Sequence, residues 1–403
     1  MTLPNPSSPP NQTPLLPVPP DNAPIITGRS ATWRTFALGA LAGAGIGLLG
    51  IYVGRALARD SIAALLAPLP PGAAWRWGTA LLAMFTALLV HELGHTIGGV
   101  SQKFRFMLLV VGPFRLYRRD QGAPIRLGLN TSLELAGGVA ACLPLDDRDL
   151  VRRTKWMVIA GPLASIALTV LCALVLLTTQ PAAWSAFVLI TGAVSAGLTV
   201  ATLIPMRNGN FVTDGKRFLQ LHREGPEAQR DAAQLSLSVR IQSGARIESI
   251  PREQIAALLA PVDGSIMEFL GRTTAYTWLL AHGRVSEARA QLSRAAALGG
   301  GLPFNLTTFV AAEEAFVRAW YDRDADTARA RLAPHAKAVE AVLPAYERAR
   351  IAAALDAAAG RKAEAHAHIS GALALLEQQP TPTGNALWTK DRLLEMQTVL
   401  IAA

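Results

Sequence analysis

Four apolar runs, a β-rich stretch between the second and third, and an alanine-rich, charged C-terminal half predict a mainly α-helical protein. The expected architecture is a polytopic membrane helix bundle of four spans with a short membrane-associated β-hairpin and a soluble α-helical C-terminal domain. Hydrophobic residues make up 51% of the 403, which argues against an ordinary soluble enzyme. The 38 Lys and Arg outnumber the 29 Asp and Glu, giving a net charge of +9. In a chain of this class that excess belongs to basic loops facing the cytoplasm; with no nucleic-acid motif in view, no nucleic acid is expected as a partner. Cys142 and Cys172 are the only cysteines, so no disulfide framework is implied.

The first 28 residues hold nine prolines and no aromatic, Lys or Arg residue. They cannot bury enough apolar surface of their own, so residues 1–30 are expected to form a disordered Pro-rich tail. They also lack the basic start and apolar middle of a cleavable signal peptide. The first span is Thr35 to Gly54, twenty residues without a charge between Arg34 and Arg55, with Gly39, Gly43 and Gly47 forming a stripe suited to close helix packing. The second runs from about 77 to 99. The uncharged stretch Trp156 to Met206 is too long for one crossing, and Gln180-Pro181 divides it into spans of about 156–179 and 184–205. Trp33, Trp75, Trp77, Trp156 and Trp184 fall at the ends of these spans, where aromatic belts sit.

Ten Lys and Arg lie between Lys103 and Lys155, and Arg207, Lys216, Arg217 and Arg223 follow the fourth span. The positive-inside rule makes both regions cytoplasmic, and with four spans the N- and C-termini are cytoplasmic too. The protein is thus expected in a lipid bilayer, an inner or plasma membrane of bacterial type. Lys103 to Arg118, rich in β-formers around Val110-Val111-Gly112-Pro113, reads as strand, turn and strand.

The second span carries His91-Glu92-Leu93-Gly94-His95 near its cytoplasmic end. Residues four apart share a helix face, so His91 and His95 can offer two imidazoles to one metal, with Glu92 beside them as a base. Between Trp77 and Gln102 Glu92 is the only formal charge, and a carboxylate inside a bilayer is expensive enough to read as functional. The fourth span runs in the same direction and ends just before Asp214-Gly215, bringing Asp214 to the same depth. Two histidines and a carboxylate are a common catalytic zinc set. On the third span Gly161-Pro162-Leu163-Ala164-Ser165 starts from that side too, and its small residues would let its backbone lie against the histidine helix.

His91-Glu92-Leu93-Gly94-His95, Ala160-Gly161-Pro162-Leu163-Ala164-Ser165, and Leu203-Ile204-Pro205 followed by Thr213-Asp214-Gly215 together resemble the signature elements of the site-2 protease family of intramembrane zinc metalloproteases. They cover about residues 77–220. The resemblance implies a transmembrane metalloprotease domain over 31–220, with His91, His95 and Asp214 as Zn2+ ligands and Glu92 as the general base. It also implies a membrane protein substrate, single-span, cut in its embedded segment near the cytoplasmic face. The family often has Asn where this chain has Thr202, and a second Gly where it has Lys216; both departures bear on substrate alignment and neither removes a ligand. In the family a hairpin like the one expected at 103–118 guides an extended substrate.

Residues 221–403 are expected to form a cytoplasmic helical domain, with candidate repeats from about 266. Gly283-Arg284 with Ala288 and Leu292 aligns with Arg323-Asp324, Ala328 and Leu332, and with Gly360-Arg361, Ala365 and Ile369. A helix, a tight turn and a second helix with small residues at the contact resembles tetratricopeptide repeats, and a concave face of that kind would take a peptide or protein partner. The alternative to an enzyme is a catalytically silent membrane scaffold that recruits partners through these helices. His222, His282, His335, His366 and His368 are scattered through this half and suggest no second metal site.

Overall fold

The structure, a computed structural model, describes residues 14–18, 72–118, 123–130, 137–208, 211–299, 304–379 and 382–402. It separates into two units, one of residues 72–228 and one joining 14–18 to 229–402. The boundary falls eight residues beyond the expected 220.

In the first unit α1 (Ala73–Ser101), α2 (Leu150–Thr178) and α3 (Ser185–Leu203) are long and apolar enough to cross a membrane. The expected first span, Thr35 to Gly54, lies outside the described residues. The outer surfaces of α1 and α2 are apolar: Leu81, Leu82, Ile97, Leu171, Leu174 and Leu177 are all exposed. A bilayer is the solvent in which such a surface is at home. Glycine sets the helix spacing. A Cβ on Gly94 would stand 2.6 Å from the Ala160 carbonyl oxygen, and one on Gly98 would stand 2.4 Å from the Ala160 methyl, so α1 and α2 approach at a distance only small residues allow. α2 begins six residues ahead of its apolar run, because Arg152, Arg153 and Lys155 continue the helix beyond it.

Between α1 and α2 stand β1 (Phe104–Val111), β2 (Phe114–Tyr117), β3 (Arg126–Leu129) and β4 (Val139–Pro144). The hairpin of β1 and β2, turning at Gly112 and Pro113, follows the sequence reading, with Val111 opposite Phe114. It is the middle of a four-stranded antiparallel sheet in the order β3-β2-β1-β4, two strands more than expected. Beyond α3 a two-residue ribbon, β5 (Arg207–Asn208) with β6 (Phe211–Val212), leads into α4 (Asp214–Arg223) and α5 (Pro226–Gln242). The chain here forms two helices rather than one continuous helix. Glu224 turns left-handed at φ 53°, and Gly225-Pro226 ends one helix and starts the next.

Among the described residues, the regular elements of the second unit are all helices. α6 (Arg252–Leu259), α7 (Ile266–Ala281), α8 (Val285–Leu298), α9 (Phe304–Asp322), α10 (Ala325–Leu332), α11 (Ala336–Val342), α12 (Ala345–Ala358), α13 (Lys362–Glu377) and α14 (Gly384–Ala402) surround one core. Three hairpins, α7/α8, α9/α10 and α12/α13, turn at the three aligned positions. Gly283, Arg323 and Gly360 each adopt positive φ, at 70°, 60° and 77°. Ala288, Ala328 and Ala365, five residues further on in each case, are wholly buried where the paired helices meet.

Residues 14–18 belong to this unit. Leu16 is 3% exposed and joins its core, so the expectation of a tail without fixed structure does not describe these five residues. Composition weighs only the apolar surface a segment can bury on itself, whereas here the covering surface comes from helices more than 230 residues away.

Candidate metal centre

α1 presents His91 and His95 one turn apart, and the start of α4 presents Asp214. Their inward atoms converge: His91 Nε2 lies 3.2 Å from Asp214 Oδ2, His95 Nε2 lies 3.4 Å from Asp214 Oδ1, and the two Nε2 atoms are 3.2 Å apart. One donor atom from each of the three residues lies within 4.8 Å of the other two. Ligands at roughly 2.0 Å on a tetrahedral zinc stand about 3.3 Å from one another, so the set is already near the separation such an ion requires. Among the described residues this is the one group of three metal-ligating side chains with that convergence.

The outer ring nitrogens are occupied in the way metal ligation demands. His95 Nδ1 is 3.0 Å from the Met157 carbonyl oxygen, which can only accept, so Nδ1 carries the proton and Nε2 turns a lone pair inward. His91 Nδ1 is 2.9 Å from Ser165 Oγ, and Ser195 Oγ donates to the Ser165 carbonyl, tying α3 to the same point of α2. Both partners stand on α2, one of them the final residue of the Gly161-to-Ser165 segment.

Small residues make room for the ligands. A Cβ on Gly161 would fall 2.3 Å from His95 Nε2. One on Gly215 would fall 1.9 Å from the Leu203 carbonyl oxygen, so the residue after Asp214 has to be glycine for α4 to start against the end of α3. Thr213 caps α4 by accepting from the Lys216 amide, while its hydroxyl donates to the Ile204 carbonyl at 2.7 Å. The Leu203-Ile204-Pro205 segment and the aspartate are thereby fastened together. Thr202 bonds the Thr199 carbonyl in its own helix, and Lys216 serves the cap through its backbone; neither reaches the ligands.

Glu92 is buried beside the cluster at 7% exposure. Its carboxylate rests on Gly138, just ahead of β4, where a Cβ would come within 2.4 Å of Oε1. Gly138 has φ 109°, a backbone state that side chains rarely adopt. The glycine brings the sheet's edge strand to the glutamate, a role that nothing in its sequence context announces. The Asp214 side chain keeps 20% of its surface exposed, so the cluster is open on one side.

Fold and site together define a bundle of membrane-length helices holding a two-histidine, one-carboxylate cluster with a glutamate alongside. Comparison with family models, characterised proteins and solved structures finds no match to this chain.

Proposed function

We propose that the chain is an intramembrane zinc metalloprotease of the site-2 protease kind, hydrolysing a peptide bond in the membrane-embedded segment of a single-span protein near the cytoplasmic face. The observation that carries this reading is the convergence of His91, His95 and Asp214, with both outer ring nitrogens hydrogen-bonded to α2, next to a buried Glu92 on an apolar helix. The two histidines and the aspartate would hold Zn2+, which supplies Lewis-acid polarisation of the scissile carbonyl. Glu92 takes a proton from the attacking water and returns it to the leaving amine, so that the carbon–nitrogen bond breaks with charge balanced. Met157 and Ser165 keep the imidazoles oriented throughout.

A transmembrane helix must unwind before a base can reach its backbone. β4 is an edge strand, and Gly138 leads it directly from the glutamate, which supports pairing of an extended substrate segment along that edge. In this reading the run Thr35 to Gly54 is the first of four spans, both termini are cytoplasmic, and the membrane is an inner or plasma membrane of bacterial type. The three hairpins turning at 283, 323 and 360 support a tetratricopeptide-like array with a partner-binding role.

The test uses purified protein, its zinc content, and cleavage of a single-span substrate by the wild type and by Glu92→Gln. One zinc per chain in both, with cleavage in the wild type lowered at least 100-fold in the variant, is expected. Stoichiometric zinc without glutamate-dependent cleavage of any membrane substrate would overturn the protease reading in favour of a silent scaffold.

A further inference from the structure

The segment Pro14-Leu15-Leu16-Pro17-Val18 is held mainly through its backbone. The Leu15 amide donates to Glu287 Oε2 at 2.8 Å, the Leu15 carbonyl accepts from Arg252 Nε, and the Pro17 carbonyl accepts from Gln291 Nε2 at 2.9 Å. Arg252 opens α6; Glu287 and Gln291 stand one turn apart on one face of α8. Leu16 enters the core as the one fully buried side chain of the segment, with Leu15 half-buried beside it. The flanking prolines favour an extended backbone and bring no amide N–H of their own to satisfy.

The contacting side chains are set in place by the unit itself. Gln291 is 2% exposed, and its Oε1 accepts from Arg272 Nη1 at 2.8 Å, which fixes the amide so that its NH2 points at the segment. Arg272 is buried against Glu268, and Glu268 is also bonded by Arg294, so a buried polar network ends in a donor aimed at a main-chain carbonyl. Glu287 is likewise held by Arg284. Backbone groups that any peptide has, read by oriented side chains around a single leucine socket, are the features of a peptide site rather than of a core tied to one sequence.

We propose that α6 and α8 form a binding site for an extended, proline-flanked leucine peptide, which residues 14–18 fill in cis, so that a partner segment of the same chemistry enters only by displacing them. The site is independent of the metal centre. Tethering gives the resident segment an effective concentration on the order of millimolar, enough to hold the site against a free peptide at micromolar level.

The test is fluorescence anisotropy of a labelled peptide copying residues 13–19, titrated with the full-length protein in detergent. Wild type is expected to bind weakly. Leu16→Asp in the protein is expected to raise the apparent affinity at least tenfold while the helical unit keeps its thermal melt, and Arg252→Ala added to it is expected to remove the gain. A peptide with Asp at the Leu16 position should not bind either protein. The proposal is overturned by a Leu16→Asp protein that binds the peptide no better than wild type. It is overturned equally by one that loses its cooperative melt, since the segment is then a fixed part of the core.

Discussion

At the scale of single residues, two glycines separate the proposed metal binding from the proposed chemistry. Gly161→Ala drives a methyl group into His95 Nε2, so if the proposed site holds zinc, the content read by elemental analysis is expected to fall from one per chain to near zero. Gly138→Ala strikes Glu92 instead. It is expected to keep the zinc and lose cleavage on the order of 100-fold, a pairing that a general loss of fold cannot produce. Cys142 makes a third case. Burial pushes its thiol up to about 11, so at neutral pH it is expected to resist maleimide labelling in the folded protein and react at once in denaturant. That His91, His95 and Asp214 meet, with Glu92 beside them, was legible in the sequence, because helix periodicity and the ends of the apolar runs indicate where such residues lie. Gly138 was not. Its importance lies in a backbone approach made by a segment more than forty residues along the chain, and no local pattern encodes that.

At the scale of elements, Arg153 closes the junction of α1, the sheet and α2. It is buried, donates to the carbonyls of Gln102, Lys103 and Arg148 and to the Asp146 carboxylate, and lies over the Phe104 ring. Lysine cannot serve those directions from one ammonium, so Arg153→Lys is expected to cost roughly 3 kcal/mol, read as a lowered thermal midpoint of the membrane unit. The sequence announced the basic loop and its hairpin but not β3 or β4. β1 finds β4 about thirty residues away in the chain, with Phe104 opposite Pro144, and β4 reads Val-Ala-Ala-Cys-Leu-Pro without alternation. Its strand character comes from its partner. The early start of α2 was hidden for a related reason: an apolar window cannot see a first turn made of Arg152 and Arg153.

At the scale of the whole molecule, the helical unit depends on charge buried in an alanine-rich core. Arg350 is fully buried, bonded to Glu313 and Glu347, and lies against the rings of Phe316 and Trp388. Burial pushes the Glu313 carboxyl up, and Arg350 opposes that shift. Arg350→Met is expected to destabilise the unit by about 3–5 kcal/mol at neutral pH. The sign with pH follows. Without the guanidinium, Glu313 stays protonated in the fold and ionises on unfolding, so the variant is expected to regain stability as the pH falls towards 4.5, measured by denaturant titration at pH 5 and 7. The positions of the three hairpin turns were visible in the sequence because Gly283 and Gly360 punctuate it, and partly hidden because Arg323 holds the same left-handed turn with a side chain.

The seating of residues 14–18 in that unit has a topological consequence. Residues 14–18 and the helices from 229 onward share one compact body, so the chain between them crosses any membrane an even number of times. The described residues hold three helices long and apolar enough to cross one. On the proposed membrane topology the count is made even by the twenty uncharged residues from Thr35 to Gly54, read from the sequence as the first span.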